Sequence, residues 1–372
     1  MQKRAIGKVI IVLTAIMLFV LSGCGTKPTA PQQSSTPQEK KVIRLTIGTV
    51  FNPATAIQAK VLDEFFAAEV SKRVEEKTNY RIEWNKVYSG TVMKPGEEMD
   101  AVKNKTVDVG FISLPYEVAK LPMQNFTYAV PFGPNDPTAE AKIMKQVIKD
   151  VPELTSVLEK DYNQKVMGFM VTQNYGLVTK FPIEKLSDLK GHKIGAVGPN
   201  LHWLQGSGAV PVQSAAGEIY TSLQTGVYDG FMFAIDSFLN LKIYEVAKNF
   251  NVVDLGSMFG AVITINLDSL NALPKEVQDI VLQVGDEYSD VLAKESKSLY
   301  ESQLTKWQEN GGKIVQVSAE EKEKWAKGMP NTPNAKAKEL DVKGLPGSKL
   351  MKRYFEVVKE NGYSLPSQYV IQ

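Results

Sequence analysis

The residue types that most often carry enzymatic chemistry are scarce in this chain, and none stands in a recognisable catalytic pattern. There are two histidines, His192 and His202, and one cysteine, Cys24. The sequence contains no H-E-x-x-H zinc motif, no G-x-S-x-G nucleophile elbow, no P-loop and no G-x-G-x-x-G phosphate loop. We therefore expect no enzymatic activity, no cofactor and no metal. A hydrolase whose catalytic residues are scattered along the chain is the alternative from another class.

The segment from Leu186 to Ala234 predicts a strand–helix–strand unit of an open α/β sheet. Lys193 to Val197 is a short apolar run that ends at Gly198-Pro199-Asn200, as a buried parallel strand does. Residues 215–225 follow with helical spacing, and Phe231 to Ile235 is a second buried run. Open α/β sheets bind ligands at the carboxyl ends of such strands.

The rest of the chain supplies the elements that must position a site. Strands are predicted near residues 43–47, 80–84 and 107–114, with helical segments between them, an order that favours a parallel sheet covered by helices. Residues 261–266 alternate as a strand that we expect to return to this first sheet. A helical tract follows from Leu273-Pro274 to about residue 310, and such a helix would be about 50 Å long.

The central segment also carries a family resemblance. D-L-K-G-x-K-I, then G-A-x-P-V, then G-E-x-Y-T-x-L-Q-T-G-V-x-D-G resembles the DctP-type solute receptors of tripartite ATP-independent periplasmic (TRAP) transporters. The matching residues are Asp188 to Gly191, Lys193, Ile194, Gly208 to Val212, Gly217, Glu218, Tyr220, Thr221, Leu223 to Val227, Asp229 and Gly230.

The resemblance implies an α/β fold of the periplasmic-binding-protein type II kind, with two open-sheet domains joined by a hinge and a long helix that spans both. We expect domain I to comprise residues 42–172 and 258–290, and domain II residues 173–257 and 291–372. The resemblance also implies that the protein is a receptor that captures a small organic solute and delivers it to TRAP-type permease subunits in the membrane. The substrate-binding lipoprotein of an ATP-driven importer is the alternative within binding proteins.

Three positions depart from the family pattern. An arginine that grips the solute carboxylate usually follows K-I, and this chain has Gly195 there. Phe233 stands where the family has an asparagine, and Tyr175 stands near a third polar position. Desolvation of a buried carboxylate that has no partner costs on the order of several kcal/mol. A simple dicarboxylate is therefore disfavoured as the ligand.

The expected pocket wall is aromatic, with one acid. Aromatic faces and one carboxylate suit an amine, at roughly 0.5–2 kcal/mol for each cation–π contact, and they also suit an aromatic or neutral solute. Trp84 and Phe231 are interpreted as core residues. The candidate ligand contacts are Phe51, Tyr116, Tyr175, Gly195, His202, Trp203, Phe233 and Asp236.

The N-terminus reads as a targeting segment. Residues 1–23 hold a basic start and an apolar run that ends in Leu-Ser-Gly before Cys24, which resembles a lipoprotein signal peptide with Cys24 as the lipidated residue. Residues 24–41 form an expected flexible tether, so the body would lie outside the cytoplasm, anchored to the cell membrane. Without the leader's three basic residues the formal charge of +2 falls to about −1, which argues against nucleic acid as a partner. We expect a monomer.

Overall fold

The computed structural model describes residues 39–366 and 368–372. Lys40–Gln372 forms one compact unit. The expected signal peptide, the expected lipidation site Cys24 and nearly all of the expected tether lie outside the described residues. Among the helices that are described, none is long and apolar enough to cross a membrane.

The described chain forms two β-sheets. Its strands are β1 (Lys41–Gly48), β2 (Tyr80–Val87), β3 (Val109–Ser113), β4 (Gln164–Val171), β5 (Tyr175–Thr179), β6 (Lys193–Ala196), β7 (Val210–Gln213), β8 (Gly230–Ala234), β9 (Asn249–Val252), β10 (Phe259–Asn266) and β11 (Lys313–Gln316). The strand order is β2-β1-β3-β10-β4 in the first sheet and β11-β9-β5-β8-β6-β7 in the second.

The first sheet is mixed. β1 pairs in parallel with β2 and with β3, as the strand–helix–strand order predicts. β10 lies antiparallel between β3 and β4. All eight residues of β10 are buried, which suits a central strand covered on both faces. The predicted return of residues 261–266 to this sheet is confirmed.

The second sheet contains the predicted strand–helix–strand unit. β6 lies between β7 and β8 and is parallel to both, whereas β5 and β8 are antiparallel. The helix before β8 ends at Gly226, whose φ of 78° is left-handed and favours glycine. β7 was not predicted from the sequence, because V-P-V-Q is short and contains a proline.

Twelve α-helices are present in the described residues. They are α1 (Ile57–Val61), α2 (Ala68–Lys77), α3 (Glu98–Lys103), α4 (Pro137–Asp150), α5 (Glu153–Tyr162), α6 (Ile219–Thr225), α7 (Ile235–Asn240), α8 (Leu267–Asn271), α9 (Lys275–Glu309), α10 (Ala319–Gly328), α11 (Thr332–Val342) and α12 (Gly347–Glu360). A π-helical segment, Leu62–Ala67, joins α1 to α2. Among the 3₁₀-helices, Phe126–Ala129 and Gly198–Leu204 bear on the site.

The long helix α9 contacts both sheets. It has 35 residues, so its axis is about 52 Å long, and the predicted spanning helix is confirmed. Near its first third it packs closely on β4, since a Cβ atom on Gly168 would lie 2.1 Å from the Gly285 carbonyl oxygen. Near its end the Trp307 Nε1 donates to the Lys248 carbonyl beside the second sheet, at 3.0 Å.

Two further segments connect the sheets, residues 172–174 and 253–258, and they are hydrogen-bonded to each other. Thr172 N donates to the Met258 carbonyl at 2.8 Å. Asn174 Nδ2 donates to Asp254 Oδ1 at 2.7 Å, and Gly256 N donates to Asn174 Oδ1 at 3.2 Å. The paired segments and α9 therefore connect strands of the two sheets.

The C-terminal helices divide between the two cores. Leu340 on α11 and Tyr354 on α12 belong to a buried cluster with Phe169 of the first sheet. Trp325 on α10 belongs to a cluster with Trp203 beside the second sheet. The expected division into two domains, with residues 291–372 in domain II, stays a prediction.

Candidate ligand-binding site

A cavity of about 330 Å³, called the central cavity here, lies between the two sheets. It is lined by Ser113 at the end of β3, Val171 at the end of β4, Tyr175 at the start of β5 and Ala234 at the end of β8. Strand ends from both sheets thus meet at one place. This is the position at which open α/β sheets bind ligands.

Aromatic rings form much of the cavity wall: Phe51, Tyr116, Tyr128, Tyr175 and Phe233. The rings of Tyr175 and Phe233 pack edge to face, with centroids 5.7 Å apart at an interplanar angle of 84°. Tyr116 is 56% exposed, so its ring lies at the rim of the cavity. Such a wall offers ring faces to an apolar or cationic solute.

The wall of the central cavity carries one acidic side chain. Among the lining residues that the structure describes, Asp236 is the only acid, and no lysine, arginine or histidine occurs. Asp236 Oδ1 accepts hydrogen bonds from Ser237 N at 2.7 Å and from Ser237 Oγ at 3.3 Å. Burial nevertheless raises the pKa of Asp236 above its ordinary value, and the hydrogen bonds from Ser237 only partly oppose that effect. A cation placed beside this carboxylate would favour its ionised form.

The hydroxyl of Tyr175 lies on the cavity wall near the side chains of Tyr128 and Asn200. Burial raises the pKa of Tyr175 to about 12, although hydrogen bonding with Tyr128 and Asn200 acts in the opposite direction. The negative charge of Asp236 also raises this pKa. Tyr175 is therefore a neutral hydroxyl at physiological pH, available as a donor or acceptor.

The buried polar atoms of the cavity wall without a hydrogen-bond partner among the described residues include Ser113 Oγ and Gln173 Oε1. Both residues are only 6% exposed. The other end of the Gln173 amide is fixed, since its Nε2 donates to the Ser296 carbonyl at 3.1 Å and to Gln303 Oε1 at 3.0 Å. An unpaired buried polar atom is costly, so these two atoms are positioned to bind solute or water.

Five of the residues expected as ligand contacts line the cavity: Phe51, Tyr116, Tyr175, Phe233 and Asp236. Trp203 does not, because its side chain is fully buried and its Nε1 donates to the Tyr128 carbonyl at 2.7 Å. Its ring supports the wall from behind, 5.3 Å from the Tyr175 ring. His202 lies next to Trp203, with ring centroids 6.4 Å apart, and is also outside the cavity lining.

Gly195 is the third expected contact that the structure places outside the lining. It lies in β6, where a Cβ atom would be 2.4 Å from Phe231 Cδ2 and 3.1 Å from Tyr228 Cε1. Phe231 is fully buried, as the sequence interpretation predicted. The space beside Gly195 is thus filled by a neighbouring ring and is not open to a ligand in the central cavity.

Sequence reasoning missed several lining residues, including Gln58, Ser113, Tyr128, Gln173 and Asn200. Ser113 directly ends a predicted strand and Asn200 follows one, so the strand-end rule could have found both. Tyr128 lies in the 3₁₀-helix Phe126–Ala129, where no periodic pattern identifies a wall.

The family model of the bacterial extracellular solute-binding proteins, family 7 (DctP), matches residues 54–337. The chain belongs to the DctP family. Its members are solute-binding receptors that act outside the cytoplasm, and this chain is a receptor rather than an enzyme. The described residues contain no group of three or more potential metal ligands.

Two solute-binding proteins are similar to part of this sequence. A solute-binding protein of Sulfitobacter sp. (strain NAS-14.1) is 34% identical over 125 residues, and the match spans 33% of this chain and 38% of that protein. A monocarboxylate 2-oxoacid-binding periplasmic protein of Nostoc sp. (strain PCC 7120) is 27% identical over 278 residues, 70% of this chain and 72% of that protein.

Solved structures share the fold. A TRAP periplasmic solute-binding protein of Desulfovibrio salexigens in an open complex aligns with a TM-score of 0.76 at 18% identity, over 88% of this chain and 99% of that one. A marine metagenome TRAP solute-binding protein with bound 3-hydroxybenzoate aligns with a TM-score of 0.73 at 19% identity, over 87% of this chain and 100% of that one. A TRAP solute-binding protein of Rhodoferax ferrireducens in complex with benzoate aligns with a TM-score of 0.71 at 18% identity, over 86% of this chain and 98% of that one. The fold class implied by the resemblance is confirmed.

Proposed function

We propose that this receptor captures a small organic amine with an aromatic or apolar body in the central cavity. The observation that carries the proposal is the composition of the described cavity wall: five aromatic residues, one acid at Asp236 and no basic residue. The ammonium group would pair with Asp236 and contact the rings of Tyr175 and Phe233, which would also cover the apolar body. Each cation–π contact contributes roughly 0.5–2 kcal/mol.

The solutes named for the relatives are carboxylates: benzoate, 3-hydroxybenzoate and 2-oxoacids. In this chain such a carboxylate would lie near Asp236 without a basic partner from the described wall. Desolvation of an unpaired ion costs on the order of several kcal/mol, and repulsion by Asp236 would add to that cost. The same cavity is therefore proposed to reject these acids.

A neutral aromatic solute is the second candidate. It is supported by Ser113 Oγ and Gln173 Oε1, which are buried without a partner among the described residues. Hydroxyl or amide groups of a neutral solute would satisfy them. This candidate differs from the amine in one respect, because its binding would not require an ionised Asp236.

We also propose that solute binding closes the cleft by a hinge. Residues 172–174 and 253–258 support this role because they are short, mutually hydrogen-bonded links between the sheets. Domains I and II would rotate about them, and a hinge needs only a few residues that absorb the backbone change. The closed form would then deliver the solute to TRAP-type permease subunits that an ion gradient drives.

Lipid anchoring at Cys24 and a monomeric receptor complete the proposal. The support is the basic and apolar leader that ends in Leu-Ser-Gly-Cys. Replacement of Cys24 by alanine should release the protein from membranes during cell fractionation and abolish metabolic labelling with a palmitate analogue. Retention of the label in the Cys24→Ala variant would disprove the anchor.

A thermal-shift screen of the purified full chain tests the ligand class. The panel should contain phenethylamine, its neutral analogue phenethyl alcohol, benzoate and 3-hydroxybenzoate. A ligand present at one hundred times its dissociation constant adds about 2.7 kcal/mol to the free energy of unfolding. Stabilisation by phenethylamine alone supports the amine. Stabilisation by both it and the alcohol supports the neutral candidate, and stabilisation by the acids alone would disprove both.

Transport should then depend on the permease and its energy source. Proteoliposomes that contain the permease subunits should take up the captured amine only with this receptor present and with an ion gradient. Uptake that requires ATP and no gradient would identify the ATP-driven importer instead.

A further inference from the structure

A second cavity, of about 360 Å³, adjoins the central cavity and is called the vestibule here. Its walls include Ile57, Asp236, Asn240, Gln303, Lys306 and Asn310. Ile57 and Asp236 line both cavities. Asp236 therefore lies at the junction of two spaces and not at a closed end of one.

One face of α9 forms a continuous floor beneath both cavities. Ser296 lines the central cavity, and Leu299, Gln303, Lys306 and Asn310, the residue directly after α9, line the vestibule. These positions are separated by alternate steps of three and four residues, which places them on one side of a helix. From Ser296 to Asn310 the helical rise amounts to about 21 Å. The combined groove is thus much longer than a single aromatic ring.

The groove has one acidic and one basic side chain, at different places along its length. Asp236 is the only acid on the described walls of both cavities, and Lys306 is the only basic residue on them. Two other lysines of α9 form ion pairs, Lys275 with Asp279 and Lys297 with Asp136, whereas Lys294, outside both cavity linings, forms none among the described residues. Lys306, which is exposed, forms no ion pair among the described residues. Its ammonium group is therefore available to an anionic group in the vestibule.

A hydrogen bond joins the walls of the two cavities. Gln173, on the central cavity, donates through Nε2 to Gln303 Oε1, on the vestibule, at 3.0 Å. Gln303 is only 7% exposed, so this bond is protected from water. The polar surface consequently continues from one cavity to the other.

We propose that the solute is elongated and amphoteric, with its aromatic end in the central cavity, an ammonium group beside Asp236 and an anionic end beside Lys306. This inference rests on the amine function proposed above and names the class of amine. An aromatic dipeptide has the required order of groups: a ring, an ammonium group and, a few ångströms further, a carboxylate. The vestibule would then receive a carboxylate that the central cavity rejects.

The contribution of Lys306 is expected to be modest, because the residue is exposed and the pair would be screened by water and salt. Exposed ion pairs contribute about 0.2–1 kcal/mol. We therefore expect the carboxylate to improve affinity about two- to five-fold at low ionic strength, and less at high ionic strength.

Titration calorimetry with the full chain and three probes tests the inference. Phenylalanyl-glycine carries the carboxylate, phenylalanyl-glycinamide has the same length without it, and phenethylamine lacks the extension. Wild-type protein should bind the acid two- to five-fold more tightly than the amide. Lys306→Met should remove this preference, whereas Lys294→Met, an exposed lysine on the same helix outside the vestibule lining, should retain it.

The outcomes separate this inference from the amine function. If phenethylamine binds but the acid and the amide bind equally well, or if the preference survives in Lys306→Met, the vestibule site is disproved and the amine function stands. If phenethylamine and both dipeptide derivatives fail to bind, the amine function is disproved and the vestibule site with it.

Discussion

A Cβ atom on Gly195 would lie 2.4 Å from Cδ2 of the Phe231 ring. Real side chains do not approach so closely, so the ring and any side chain at position 195 exclude each other. The absence of a side chain at position 195 and the presence of this buried ring are thus two aspects of one packing arrangement. A basic residue cannot be introduced at position 195 unless Phe231 is also displaced.

The first prediction concerns the packing at position 195. Gly195→Ala should lower the free energy of unfolding by about 1–3 kcal/mol, because overpacking forces the Phe231 ring to move. Gly217→Ala is the matched control, since a Cβ atom there meets nothing within 4 Å. Urea unfolding measures both variants. Equal stability of Gly195→Ala and wild type would show that the ring moves freely and that the exclusion argument is wrong.

The second prediction concerns the aromatic wall. Phe233→Ala should weaken amine binding about tenfold, because it removes a ring face and the apolar area around it. Phe233→Leu keeps most of the apolar area, so it should weaken the binding of an amine more than that of its neutral analogue. Calorimetric titration with phenethylamine and phenethyl alcohol measures the difference. If Leu and Phe at position 233 bind the amine equally, the ring contributes only area.

Substitution of Tyr175 affects folding as well as binding, because the residue belongs to a buried cluster. Its ring centroid lies 5.3 Å from that of Trp203. Tyr175→Ala should weaken binding but also cost about 3–5 kcal/mol of stability. Tyr175→Phe isolates the hydroxyl and should leave the wall intact. We expect Tyr175→Phe to lower affinity by less than Phe233→Ala does, as measured in the same titrations.

The sequence predicted the order of elements well because hydrophobic periodicity is a local property. The long helix and the strand at residues 261–266 follow from patterns that lie within the segments themselves. Helix α5, Glu153–Tyr162, was missed. Its buried residues Leu154 and Leu158 are four positions apart, and Val157 and Tyr162 pack against the same core, so the helical pattern is present in the sequence.

The site was predictable only in part, since its geometry depends on contacts between distant segments. Phe233 and Tyr175 were found because they stand at strand ends. Trp203 lies in the 3₁₀-helix Gly198–Leu204 after β6, and its hydrogen bond to the Tyr128 carbonyl, 75 residues away, holds the ring in the core. Nothing local to Trp203 encodes that partner. The strand-end rule therefore locates a site without deciding which side chains face it.

The third prediction concerns Asp236 and pH. Because burial raises the pKa of this carboxyl, it takes up a proton at a higher pH than an ordinary aspartate. An amine binds the ionised form, so its affinity should fall as the pH is lowered through that raised pKa, by up to about tenfold per pH unit below it. Asp236→Asn should bind the amine weakly with no such dependence. The same pH profile in both proteins would exclude Asp236 as the partner of the cation.

The stability of the unliganded protein provides a control for Asp236→Asn. A carboxyl whose pKa is raised by folding is destabilising when ionised, so the asparagine variant should be at least as stable as wild type at neutral pH. Weak binding together with unchanged or increased stability would then report on the site itself. Lower stability would instead indicate a structural role of the Ser237 hydrogen bonds.

The fourth prediction concerns a buried acid away from the site. Glu140 on α4 is fully buried, and the Tyr354 hydroxyl on α12 lies 3.1 Å from each of its carboxylate oxygens. Burial raises the pKa of Glu140 well above its ordinary value, and the hydrogen bond from Tyr354 only partly opposes this. One hydroxyl donates a single proton, so it cannot satisfy both oxygens of an ionised carboxylate.

The sign of the resulting pH dependence follows from linkage. The folded state holds the Glu140 proton more tightly than the unfolded state, whose pKa is about 4.3. The stabilisation is therefore complete below that pH and is lost as the pH rises towards the raised folded-state pKa, by up to about 1.4 kcal/mol per pH unit. Glu140→Gln removes this titration, so its stability relative to wild type should increase between pH 5 and pH 8. Urea unfolding at the two pH values measures the change, and a constant difference would mean that Glu140 is ionised in the fold.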